Sequence, residues 1–242
     1  MIAQSVVDLY GKDAYKQFLS ERRAEIVSRI TEAARRAGRS ASDVELLAVS
    51  KTVDVDGVAC ALEAGYTAFG ENRPQELKRK VQALPDVRFD MIGNLQTNKI
   101  NQVLGAAALI HSVSSRHLAE AISRRSVARS KQVRCLIEVN VSGEESKAGF
   151  SPREVREAAT WLMGLEGIAI EGLMCMAPAL DLDEARRSFS GLRELSQVLR
   201  SDTGLALNVL SCGMSGDFEI AVEEGSTLVR LGRVVFDPRF EL

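Results

Sequence analysis

Apolar runs alternate with amphipathic stretches eight times along this chain. That alternation limits the fold more than any other feature. Apolar, strand-like runs lie at residues 44–50, 66–69, 87–92, 107–111, 132–141, 168–174, 205–210 and 227–231. Helical stretches separate them at 54–65, 73–84, 97–104, 115–130, 152–163, 182–200 and 217–224. Strands alternating with helices imply parallel pairing through right-handed crossovers. Eight units in a chain of 242 residues fit a (β/α)8, TIM-like barrel. A doubly wound open sheet is the competing layout, but no glycine fingerprint follows the first strand.

A further helix precedes the repeats at residues 13–38. Tyr15, Phe18, Leu19, Ile26, Ile30, Ala33 and Ala37 form one stripe along it. Asp13 is placed as its N-cap and Gly38 as its C′ residue. Residues 132–141 alternate with period two, Val133, Cys135, Ile137, Val139 and Val141 opposing Arg134, Leu136, Glu138 and Asn140. No Pro/Gly/Ser-rich linker interrupts the chain, so residues 1–242 are expected as a single domain.

Composition removes several function classes. Thirty-one basic and 33 acidic residues give a net charge of −2, which offers nothing for non-specific nucleic-acid binding. No apolar run reaches membrane-spanning length, and residues 1–10 lack the pattern of a signal peptide. Cys60, Cys135, Cys175 and Cys212 are scattered through apolar segments, as expected of reduced thiols in a cytoplasmic protein. No Walker A loop, G-x-G-x-x-G, G-x-S-x-G or H-E-x-x-H occurs.

In such a barrel, chemistry collects where the strands end. Lys51 follows the first strand and continues the alternation of Leu47 and Val49. An amine there suits Schiff-base chemistry in a desolvated mouth, or it simply reaches out to solvent. After the seventh strand, Gly213, Ser215 and Gly216 precede a helix. Small residues at a helix start expose N–H groups that suit phosphate, although a serine there is also an ordinary cap. Asp217 favours the cap, since its charge repels phosphate unless it points away. Arg230 shares a face with Leu228 and Gly232. It faces a carboxylate, phosphate or ring nitrogen, or it pairs with Glu138 or Glu171.

Six segments carry a family resemblance: LLAVSKT (46–52), AGYTAFGENRPQE (64–76), MIGNLQTNK (91–99), EVNVSGEESKAGF (138–150), EGLMCMAP (171–178) and LSCGMSGDFEIAVEEGSTLVRLG (210–232). In this order they closely resemble the pyridoxal-phosphate homeostasis proteins, the YggS/PROSC family, which are similar to the barrel domain of alanine racemase. The resemblance implies that Lys51 carries pyridoxal 5′-phosphate (PLP) as an internal aldimine. It places Ser215, with backbone of Met214 and Gly216 and around Gly232, at the phosphate. Arg230 would face the pyridine nitrogen, while Asn72, Ile92 and Asn140 would line the pocket. An arginine does not readily protonate that nitrogen, so the ring would be a weak electron sink. Two positions depart from the family: Asp90 stands where histidine is common, and Arg233 follows Gly232 where threonine is usual.

Three functions compete. The first is a PLP carrier that buffers the cofactor or delivers it to PLP-dependent apoenzymes. The second is a PLP-dependent amino-acid racemase, which needs a second base opposite the lysine. Racemase relatives take that base from a tyrosine on an additional domain, and the 242-residue length leaves no room for one. The tyrosines here are Tyr10, Tyr15 and Tyr66, none expected at the mouth, and His111 is a further possible base. The third is a barrel for another phosphate ligand, with Lys51 a simple cation. The carrier is the expectation, as a monomer.

Overall fold

The structure is a computed structural model and describes residues 6–144, 147–178 and 181–242. The earliest part of the segment read against a signal peptide, and residues 145–146 of the fourth motif, lie outside them.

Eight strands close into a parallel barrel in sequence order. They are β1 (Glu45–Val49), β2 (Ala68–Glu71), β3 (Arg88–Met91), β4 (Ile110–Val113), β5 (Val133–Glu138), β6 (Ile168–Met174), β7 (Val209–Ser211) and β8 (Leu228–Leu231). The helices are α1 (Val6–Tyr10), α2 (Lys12–Arg36), α3 (Val55–Glu63), α4 (Pro74–Ala83), α5 (Ile100–Val103), α6 (Arg116–Val127), α7 (Pro152–Met163), α8 (Leu182–Thr203), α9 (Phe218–Glu223) and α10 (Arg233–Phe236). Closure comes from β1 pairing with β8, with Ala48 opposite Leu231.

Side chains of alternate sign along each strand serve two cores. Leu47, Ala68 and Leu228 pack together with Ile92 and Val209. Leu109, Leu136 and Met174 form a second group on Val209. Residues from so many strands meet only along the barrel axis, so these groups fill the interior. The opposite faces, including Val133, Cys135 and Ile137 of β5, join the larger core under the helices. All four cysteines are buried free thiols there.

Helix α2 buries Tyr15, Leu19, Ile26, Ile30 and Ala33 as the stripe predicts. Its start differs from expectation. Asp13 does not cap it, because α1 runs straight into α2 through Gly11, which takes the N-cap place at φ 81°. Gly38 does adopt the left-handed conformation of a C′ residue, φ 66°. Ala37 lies past the helix end and is exposed. Leu182 is 53% exposed, at the first position of α8, where Asp181 accepts a bond from the Glu184 N–H.

Strands four and seven begin three and four residues later than the apolar runs suggested. Apolar residues that lead into a parallel strand are buried too, so hydrophobicity alone does not mark where pairing begins. Between β5 and β6 the register slips at Glu171, with Cys135 opposite Ile170 and Leu136 opposite Gly172. The slip takes Glu171 out of the interior ladder, and it pairs instead with Arg134. Among the described residues, no helix is long and apolar enough to cross a membrane.

Candidate functional site

Lys51 lies just past the end of β1. Its side chain is exposed, and among the described residues it has no hydrogen-bond or ion-pair partner. The peptide before it is held firmly. Lys80 of α4 donates to the Ser50 carbonyl at 2.7 Å and to Glu71 Oε1 at 2.5 Å. The Ser50 hydroxyl donates to the same carboxylate oxygen at 2.6 Å. Lys80 and Glu71 are almost wholly buried, 1% and 0% exposed. This pair therefore ties the ends of β1 and β2 together behind Lys51 and Asn72. Sequence reasoning did not single it out. The available signal was a lysine three residues after Leu77, on the buried face of α4.

Asn72 and Ile92 come together across the ends of β2 and β3. Ile92 N–H donates to the Glu71 carbonyl at 2.9 Å. A Cβ on Gly93 would fall 2.2 Å from the Asn72 carbonyl oxygen, so only glycine permits this approach. Asn72 and Ile92 are half-buried, past the ends of β2 and β3 as Lys51 is past the end of β1.

The loop from Gly213 to Asp217 and the turn into α10 follow β7 and β8, and β8 pairs with β1, so they continue the rim of the mouth on the other side of Lys51 from Asn72. Val234 N–H donates to Ser215 Oγ at 3.3 Å, which joins the two segments. The N–H groups of Ser215 and Gly216 have no partner among the described residues. A Cβ on Gly216 would meet nothing within 4 Å, so that face is open. Gly232 abuts Val49, its built Cβ 3.5 Å from the Val49 carbonyl oxygen, which sets α10 beside the approach to Lys51. Asp217 does turn away: its Oδ1 accepts the Met214 N–H at 2.6 Å. That bond occupies the Met214 N–H. Burial raises the Asp217 carboxyl above its usual range, against the Met214 bond and the Arg230 charge.

Below this rim lies Arg230, 5% exposed. Nη1 donates to the carbonyl and hydroxyl oxygens of Ser211, both at 2.7 Å, and Nη2 donates to the Cys175 carbonyl at 3.0 Å. Neither Glu138 nor Glu171 bonds it directly. Glu138 faces it electrostatically, and burial raises the Glu138 carboxyl against the pull of Arg230. Burial also lowers the Arg230 pKa. From Ser211 the polar contacts run on to His111 Nδ1 at 3.0 Å and from His111 Nε2 to Asp90 at 3.2 Å. Arg88 closes the row with bonds to both Asp90 oxygens, at 3.1 and 2.8 Å.

Comparison with known proteins places this arrangement. The N-terminal domain of alanine racemase matches residues 24–238. A pyridoxal phosphate homeostasis protein of Aquifex aeolicus is 40% identical over 90% of this chain and 97% of its own length. One from Vibrio alginolyticus is 37% identical over 88% and 94%. This chain belongs to the pyridoxal phosphate homeostasis protein family. Among solved structures, a Bifidobacterium adolescentis protein superposes with TM-score 0.89 at 38% identity, covering 97% of this chain and 99% of that one. The PipY protein of Synechococcus elongatus, solved with PLP bound, superposes with TM-score 0.78 at 33% identity, covering 90% and 99%. The alanine racemase of Corynebacterium glutamicum, 16% identical with TM-score 0.65 over 90% of this chain and 62% of that one, shares the fold alone.

Within this homeostasis-family barrel, other residues considered from the sequence have side chains engaged elsewhere or buried. Asn140 is committed to its own loop: its amide donates to the Glu144 and Lys147 carbonyls, and its Oδ1 accepts the Gly143 N–H at 3.0 Å. His111 is 0% exposed with both ring nitrogens engaged. Tyr15 donates to the Phe236 carbonyl at 3.1 Å, Tyr10 stacks on Tyr15, and Tyr66 is buried ahead of β2. Arg233 is exposed, its guanidinium 5.4 Å from the Phe240 ring centroid.

Proposed function

We propose that this chain binds PLP, holds it as a Schiff base on Lys51, and serves inside the cell to keep the cofactor available without turning over a substrate. A phosphorylated pyridine aldehyde needs an amine, anion donors and a group opposite its ring nitrogen. The residues present fit each need. Lys51 offers an unpaired amine on the rim. Ser215, Gly216, Gly232 and the first turn of α10 offer a hydroxyl and backbone donors for phosphate. Arg230 offers a buried guanidinium, while Asn72 and Ile92 line the space between. When bound, PLP supplies an aldehyde that captures amines and a ring that accepts electrons.

The observation that carries this reading is the open, unpaired amine of Lys51 next to a loop with partnerless N–H groups. The PLP-bound PipY relative supports it. Arg230 keeps a positive charge where electron-sink enzymes place an acid, which weakens catalysis. No described tyrosine stands at the mouth, which favours the carrier over the racemase. Apoenzymes that need PLP are the intended recipients, and the working form is a cytoplasmic monomer.

Three measurements test this. Purified protein loaded with PLP shows a visible absorbance band, and borohydride fixes the mass of the reduced adduct on Lys51. A Lys51→Ala protein with the same band would overturn the Schiff base. Wash-out of α-deuterium from amino acids by the loaded protein would replace the carrier with the racemase.

A further inference from the structure

The polar row inside the barrel admits one arrangement of protons. Asp90 is held ionised: burial raises its carboxyl, but bonds from His111 and Arg88 overcome this and keep it below the usual range. An ionised carboxylate only accepts, so His111 Nε2 carries a hydrogen and donates to it. Burial lowers the His111 pKa further than the neighbouring Asp90 raises it, so the ring is neutral and Nδ1 is an acceptor. Ser211 therefore donates its hydroxyl hydrogen to Nδ1, and its lone pairs face Arg230 Nη1. Each direction follows from the one before, beginning at Asp90.

We propose that Asp90 is a positioning residue, which through His111 and Ser211 fixes how Arg230 presents its guanidinium to the mouth of the barrel. Were His111 protonated, Nδ1 would donate to Ser211, whose hydrogen would lose its acceptor beside a second cation. The groups facing the ring from all sides are Asp90 and Arg88 on β3, Ser211 on β7 and Arg230 on β8, with Glu138 of β5 facing Arg230. Asp90 is the one acid bonded to His111; Glu45 of β1 meets the row only at its outer end, where it accepts from Arg88 Nη1 at 2.6 Å. An amide there cannot serve as well. Asp90 Oδ2 accepts from both His111 and Arg88, while Oδ1 accepts from Arg88 Nε. Asparagine has a single acceptor and would set an N–H₂ against a donor.

What Arg230 faces rests on the PLP reading, whereas the row itself does not. Two arms keep these apart. In the unloaded protein, ¹⁵N NMR of wild type shows His111 protonated on Nε2 alone and a sharp Arg230 Nε–H signal. Asp90→Asn gives mixed tautomers and moves the Arg230 signal, and Ser211→Ala moves the Arg230 signal without mixing the tautomers. In the loaded protein, both variants shift the pH midpoint of the visible band by about one unit from the wild-type value, because the guanidinium charge is no longer held in one position. If both variants lower the melting temperature but leave His111, Arg230 and the midpoint at wild-type values, Asp90 is only structural and the proposal fails. If wild type shows no visible band, the PLP reading fails and the NMR arm still decides the row.

Discussion

Lys80 Nζ donates to the Ser50 carbonyl oxygen at 2.7 Å, so a lysine from α4 grips the peptide that leads into Lys51. Its partner Glu71 lies directly before Asn72, and Glu71 Oε2 has no hydrogen bond of its own. Removing one member of such a pair strands a buried charge. Lys80→Ala is expected to cost about 3–5 kcal/mol in urea unfolding. The double variant Lys80→Met, Glu71→Gln leaves no such charge and recovers much of that loss. Equal unfolding midpoints for the single and double variants would show that the pair is not coupled.

Gly93 lets the ends of β2 and β3 touch. Gly93→Ala would place a methyl 2.2 Å from the Asn72 carbonyl oxygen, and backbone must move to relieve it. A loss of about 3 kcal/mol is expected in the same unfolding measurement. Because Asn72 moves with it, PLP retention on dialysis falls as well.

The order of elements was readable from sequence because parallel strands under helices are apolar runs of known period. Their ends were not, as β4 and β7 show. Lys51, Ser215 and Arg230 drew notice in the sequence because a polar residue in or soon after an apolar strand is conspicuous, and their proposed roles await the tests above. Lys80 and Glu71 were hidden, since a lysine on a helix reads as a solvent-facing residue until α4 is seen to bury it. Asp90 was visible as a departure and Arg88 lies two residues before it on β3, but His111 of β4 and Ser211 of β7 are brought into the same row only by the barrel.

Ser215 links its loop to α10 through a long bond and keeps its hydroxyl at the rim. Ser215→Ala is expected to lower PLP affinity about tenfold, as one hydrogen bond to a charged group is lost. The melting temperature of the unloaded protein stays near wild type. Equilibrium dialysis with PLP checks the first claim and thermal unfolding the second.

Acid sensitivity should carry opposing contributions. His111 is kept neutral with its pKa lowered from 6.5, so the unfolded chain binds its proton first and stability falls as pH drops below about 6.5. Asp90, lowered from 3.8, adds stability that is lost only as pH falls below that range. Glu138, raised from 4.5, acts the other way: the folded state binds its proton first, so its contribution is lost as pH rises through its raised value. Urea unfolding from pH 7 to pH 5 should show a shallower decline for His111→Gln than for wild type, and a steeper one for Glu138→Gln. The same slope in all three proteins would contradict this.

The brace formed by α2 has a consequence in time. Its Tyr15 bonds Phe236, 221 residues away, Arg22 bonds Val234 and Phe240, and Arg29 pairs with Glu219. These partners lie on α9, α10 and the residues just after α10, which carry or follow the rim around Ser215 and Gly232. During synthesis, α2 leaves the ribosome long before they do, and contacts of such separation form late. A nascent chain with Lys51 already exposed therefore still lacks the segments we propose to hold phosphate. Capture of the cofactor is thereby reserved for a chain whose early helix has met its late partners.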